Sequence, residues 1–231
     1  MTPSKNPLIA IVDAFRSPID CFAAAHERPK WAWLAYLLIM FSPMMLWGAY
    51  FNNVDLSWLQ QMLTQHLNLT DVAPDVRDAW LTKEVLLAGE VFNDIAGRTA
   101  ALFILALWLN LATKSSQYPI GFAKWLAASC FIMLPSVIGD LASYINVMFN
   151  PAQILPNAAD LNSLNGLLKL SPNHPWAMFS STVPLLTPWY IALTYAAVSA
   201  WTDFDRARSI VTAALPWALV LIVWPLMIAA A

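Results

Sequence analysis

The sequence predicts an all-α integral membrane protein, a bundle of about five transmembrane helices with an amphipathic helix in the first outer loop. Three observations predict it. Of 231 residues, 59% are hydrophobic and only 11% are charged, where a soluble globular domain carries about 25% charged residues. A surface so poor in charge is not solvated by water, so lipid must surround it. Several apolar runs reach the ~20 residues that cross hydrocarbon as a helix. Trp31, Trp33, Trp176, Trp201 and Tyr118 fall where those runs end, at the depth amphipathic rings favour.

The elements follow in order, within one polytopic domain over 1–231. Residues 1–30 read as a short polar segment. Asp13, Arg16 and Asp20 interrupt its apolar part, so it is not expected to be a cleaved signal. The first span, 31–50, is uncharged and is bounded by Arg28 and Lys30 before it and by Asn52, Asn53 and Asp55 after it. In the loop that follows, Leu56, Leu59, Leu63 and Leu67 share one helical face behind Asp55 as N-cap, which predicts a helix lying in the membrane interface. Asp71, Asp75, Asp78 and Glu84 make that loop acidic.

The second span is placed at 91–112. Residues 99–112 are too few to cross alone, so the helix must reach back through Arg98, Ile95, Asp94 and Val91, or tilt and thin the bilayer. The third, 121–141, holds Lys124 near its start and Asp140 near its end. A second outer loop, 150–181, contains Pro151, Pro156, Pro172 and Pro175 and reads as irregular, with one short helix near 161–170. The last two spans, 182–201 and 210–231, are uncharged, with kinks expected at Pro184, Pro188, Pro216 and Pro225. Asp203 and Asp205 are expected to cap the final helix. Four or six spans are the alternative counts. The short connections 113–120 and 202–209 make their flanking helices antiparallel neighbours.

Lys and Arg set the orientation. An inside N-terminus puts Lys5, Arg16, Arg28, Lys30, Lys114, Lys124, Arg206 and Arg208 on the cytoplasmic side, against Arg77, Lys83 and Lys169 outside. The bias predicts a cytoplasmic N-terminus and a C-terminus on the far side.

Function classes can be narrowed. A net charge of -2 without a basic run points to no nucleic-acid partner. HExxH, P-loop, GxSxG and CxxC patterns are missing from the sequence, so no catalytic, cofactor-binding or metal site is predicted and no cofactor is expected. His26, His66 and His174 lie in three separate polar segments. Cys21 and Cys130 read as two unpaired thiols packed as small apolar residues.

One constellation is informative. Glu90, Asp94 and Arg98 repeat every four residues and share a helix face. Counted from the cytoplasmic ends of their helices, Arg98 lies roughly 24 Å deep and Asp140 roughly 28 Å deep, so all four belong near the outer interface. A charge in hydrocarbon costs about 2.5–3.5 kcal/mol on insertion scales, so such groups face inward or pair. Asp94 with Arg98 is the natural pair. The cluster is then either a structural ion pair or a polar cavity for an ion, proton or lipid headgroup.

Three stretches carry a family resemblance. SPIDCFAAAHERPKWAW leads into the first span with Ser-Pro, Phe, and Pro before an aromatic. YPIGFAKWLAASCFIMLPSVIG is a small apolar helix ending on Pro135. LNSLNGLL precedes a long helix and the turn WTDFDRARSIVTAA. Together they resemble the Yip family, membrane proteins first named for interacting with Ypt/Rab GTPases. The resemblance implies five helices with a cytoplasmic N-terminus. Eukaryotic members carry a long N-terminal region implicated in contacts with trafficking partners. The 30 residues before the first span resemble the short bacterial branch instead, so the GTPase partner is not carried over.

The resemblance implies a non-enzymatic scaffold or adaptor in a bacterial inner membrane. Its partners would be the bilayer and a membrane protein or a second copy of the chain. The alternative is a small transporter or channel that binds an ion, proton or lipid headgroup at Glu90, Asp94, Arg98 and Asp140.

Overall fold

The computed structural model describes residues 3–149, 152–171 and 173–230. Pro151, Pro172, and positions 1, 2, 150 and 231 of the expected segments lie outside the described residues. Among those described there are thirteen α-helices and no strand. In chain order they are α1 (Pro7–Arg16), α2 (Pro18–Glu27), α3 (Ala32–Asn53), α4 (Leu56–His66), α5 (Pro74–Trp80), α6 (Lys83–Ala112) and α7 (Phe122–Ile132). There follow α8 (Pro135–Phe149), α9 (Pro156–Ala159), α10 (Leu164–Leu168), α11 (Ala177–Thr182), α12 (Thr187–Trp201) and α13 (Arg206–Ala230).

Four helical stretches are long and apolar enough to cross a membrane: Pro29–Asn53, Lys83–Ala112, Phe122–Phe149 and Arg206–Ala230. The further span expected at 182–201 is not among these four. There the chain forms α12, of 15 residues, or ~22 Å, short of the ~30 Å hydrocarbon core. Proline sets that limit. Val183, before Pro184, is extended at φ -78 and ψ 115, as a residue preceding proline prefers, and Pro188 sits in the first turn of α12.

Proline also divides the third long stretch. Pro135 has no N–H for the helical ladder, and tighter bonds close the gap: Leu134 N–H to Phe131 O at 3.3 Å and Ser136 N–H to Met133 O at 3.0 Å. Helix α6 reaches back well beyond position 91, to Lys83. Its 30 residues span ~45 Å.

The chain divides into two compact units. The first holds Met1–Met40, Gly97–Val137 and Leu186–Ala231, the second Phe41–Ala96 and Ile138–Leu185.

In the first unit, the segment read as merely polar is two packed helices. Asn6 caps α1 by accepting from Ile9 N–H at 2.8 Å, and Pro7 and Pro18 stand in first turns, where a missing N–H is harmless. Ala10 and Ala14, one turn apart, are fully buried, as are Cys21 and Phe22. Small residues at that spacing let backbones approach closely. Helix α2 packs on α12 and α7, and Trp201 Nε1 donates to Phe22 O at 2.8 Å. Trp201 is therefore packed against protein, 5% exposed. Both cysteines are free and buried. Burial, with a smaller contribution from Asp13, pushes the Cys21 thiol well above its usual pKa.

Lys124 Nζ lies 3.3 Å from His26 Nε2. Burial first, and then that positive charge, holds the His26 imidazole below its usual pKa. Of the two expected caps on α13, Asp205 serves, accepting from Arg208 N–H at 2.8 Å. Asp203 turns away, accepting from Ser116 Oγ at 2.7 Å and Gln117 N–H at 3.1 Å. These bonds, the Ser116 one foremost, hold its carboxyl below the usual range.

In the second unit, Leu46, Trp47, Tyr50, Phe51, Leu59 and Val147 form a core. Helix α4 begins behind Asp55, whose carboxylate accepts from Trp58 N–H at 3.1 Å. Part of its apolar face meets protein, while Leu67 is exposed. Leu59 is fully buried in this core and Leu63 packs against it. The second outer loop carries α9, α10 and α11, with Ser163 as N-cap of α10 and Lys169 in the left-handed region, φ 51, at its end.

Candidate functional site

The densest polar site of the second unit is built on α8. Asp140, Ser143 and Asn146 recur every three residues along α8, so they project from one face. Asp140 is buried. Its Oδ1 accepts from Asn162 Nδ2 at 2.5 Å and its Oδ2 accepts from Ser42 Oγ. Ser143 Oγ donates to Gly139 O at 2.8 Å and accepts from Leu161 N–H at 2.8 Å. Asn146 Nδ2 donates to Ala159 O at 3.2 Å. Asp160 Oδ1 accepts from Asn162 N–H at 2.8 Å and thereby turns the loop toward α8.

Two glycines make the approach possible. A Cβ on Gly139 would sit 1.7 Å from Asn162 Oδ1, and one on Gly166 would sit 2.4 Å from Asp160 O. Gly139 therefore lets the loop lie against α8, and Gly166 lets α10 close on Asp160, each by having no side chain.

Of the acids read from the sequence, Asp94 accepts from Trp47 Nε1 at 2.6 Å. Glu90, half-buried, lies within electrostatic reach of Asp94 and Asp160. Glu90, Asp94 and Asp140 thus belong to the second unit, together with Asp160.

Arg98 belongs to the first unit. Its guanidinium donates to Ile39 O at 3.2 Å and to Ser136 Oγ at 3.5 Å. The bond to Ile39 has a local cause. Residue 43 is a proline inside α3, so the Ile39 carbonyl lacks the amide that would close its helical turn, and Arg98 supplies a donor. Arg98→Ala is expected to destabilise the protein by about 1.5–3 kcal/mol, the worth of a charged hydrogen bond. Pro43→Ala, which restores the amide, is expected to shrink that loss. A thermal-unfolding cycle of the two single variants and the double variant tests it. Strict additivity would rule the carbonyl role out.

Ser42, Ser143, Asn162 and Asp160 escaped the sequence reading. The three-residue recurrence on α8 is the signal that could have found Ser143. Nothing local marks Ser42 or Asn162, which lie far from Asp140 in sequence. Among the described residues no group of three His, Cys, Asp or Glu side chains is arranged to hold a metal ion.

The model of the Yip1 domain family matches residues 12–227, an interval that contains all three stretches of resemblance and every helix of the polar site. The chain belongs to the Yip1 domain family. Among curated proteins and among solved structures no match was found. Family membership and several long apolar helices together make this an integral membrane protein. Within this Yip1 domain, α8 and its loop are joined by side chains bonded both to backbone and to one another, the bonding that shapes a loop.

Proposed function

We propose that this Yip1 domain protein is a non-enzymatic membrane scaffold that binds a membrane-protein partner or a second copy of itself. With 182–201 as a fifth, short crossing that locally thins the bilayer, it would sit with its N-terminus cytoplasmic and its C-terminus on the far side. The observation that carries the reading is α13. It has the highest hydropathy of the four spanning stretches, 2.1, yet only 6% of its apolar window is buried. Its main packing is against α12, with a bond from Trp108 Nε1 on α6 to Thr212 O at 2.9 Å near its start, and Ile222 and Leu226 face outward. A helix so little covered by its own chain offers a long lateral surface, where close packing between helices, not water exclusion, drives association.

Photo-crosslinkers at Ile222 and Leu226 in native membranes test it. Discrete protein adducts at both positions are expected. Lipid adducts alone would defeat the scaffold reading. Reporter fusions after Lys114 and Arg208 are expected to read cytoplasmic, and those after Thr70 and Lys169 external. An external signal at Lys114 overturns the orientation.

A second reading, a small transporter or channel, is favoured by the half-buried Glu90 lying within electrostatic reach of Asp94 and of Asp160, which suits a proton. Flux through liposomes that Glu90→Gln abolishes would select it over the scaffold.

A further inference from the structure

In the first unit, a groove of about 410 Å³ runs between the start of α3, the later part of α6 and the start of α7, within the 300–1,000 Å³ typical of small-molecule sites. Its floor is apolar and covered: Leu102 is 1% exposed and Cys130 6%. Ala123 and Ala127, one turn apart on α7, leave the depth open. Trp33 and Phe103 stand as exposed ridges along the mouth. From Ala123 to Cys130 the groove runs ~10 Å along the helix.

Its charge lies at one end. Lys30 is the charged group among the described lining residues, and it precedes the first turn of α3. Arg28 is close in sequence, stacked 4.9 Å over the Trp31 ring. Glu27 is the acid of that segment, so cations predominate at this end. Trp31 and Trp33 mark it as the level of the headgroups, where such rings collect. An apolar trough entered past a cation at headgroup depth matches one kind of molecule. It must carry a hydrocarbon chain long enough to lie in the trough and an anion at the end of that chain.

We propose that this groove is a binding site for one anionic phospholipid, with an acyl chain along Leu102, Leu126 and Cys130 and the headgroup phosphate at Lys30. The ammonium attracts the phosphate, while Ala123 and Ala127 leave room for the chain. The site is separate from the lateral face of α13 and from the polar site on α8, so it stands or falls independently of the scaffold reading.

The test uses the purified full chain, delipidated in detergent, with dioleoyl-phosphatidylglycerol titrated against dioleoyl-phosphatidylcholine in native mass spectrometry. One retained lipid per chain is expected, with phosphatidylglycerol preferred. Lys30→Gln is expected to cut that preference about fivefold, since one basic group near a membrane surface contributes about that factor. A phosphatidylglycerol bearing a diazirine at its acyl terminus is expected to label peptides containing Leu126 and Cys130. Ala123→Trp, which fills an exposed part of the groove, should abolish that label while leaving thermal unfolding unchanged. Equal retention of the two lipids, unaltered by Lys30→Gln, would overturn the proposal. So would label spread evenly over the exposed faces of α6 and α13, the pattern of bulk lipid. Oleate that competes as well as phosphatidylglycerol would overturn the phosphate assignment.

Discussion

Trp201→Ala is expected to undock the N-terminal helices and to lower the melting temperature of the purified protein. The indole donates to Phe22 O, and its ring meets Trp125 at 4.9 Å, His26 at 5.2 Å and Phe22 at 6.4 Å between centroids. Truncating a buried tryptophan costs about 3–5 kcal/mol. The loss falls on the contact between α2 and α12, so hydrogen–deuterium exchange over residues 7–27 should accelerate. Trp201→Phe keeps most of the ring contact and loses the hydrogen bond, for about 1–3 kcal/mol. Exchange and melting unchanged in Trp201→Ala would mean that the N-terminal helices are held elsewhere.

Asp140→Ala should rival it in the second unit. The carboxylate accepts from both Ser42 and Asn162. Its removal leaves two donors unmatched in a buried setting, which costs on the order of 2–4 kcal/mol. Asp140→Asn retains one acceptor oxygen and should recover about half of that loss. Gly139→Ala attacks the same contact from the helix side, since its Cβ would overlap the Asn162 amide, and it should mimic part of the effect. Thermal unfolding in detergent and protease sensitivity across residues 160–171 report the outcome. An Asp140→Ala variant as stable as the parent would show that the site is not structural, and would move weight to the ion-binding reading.

The helices that could be read from sequence are those whose cause is local. The uncharged run 31–50 becomes most of α3, and Asp55 caps α4 through a bond within one turn. The need for a longer second helix was also visible, because residues 99–112 cannot cross alone, and α6 indeed extends back through Arg98 and Asp94. The N-terminal helices were missed because charges at 13, 16 and 20 hide a short amphipathic pattern that only packing makes stable. Helix α4 was recognised as amphipathic, yet a stripe of leucines reads the same whether lipid or protein covers it.

By itself the sequence determined that this protein lives in a membrane and belongs with the Yip1 domain proteins. Mean apolarity, run length and the spacing of prolines and aromatics along the chain suffice for both, because insertion depends on stretches of chain and not on their partners. Only the tertiary structure decided what the polar residues do. Asp140 meets Ser42 and Asn162, and Arg98 meets the Ile39 carbonyl that Pro43 cannot serve. Trp201 proves to be the ring on which α2 docks. A buried polar group must be matched within hydrogen-bond distance, and the partner that matches it can lie anywhere in the chain. Folding chooses that partner.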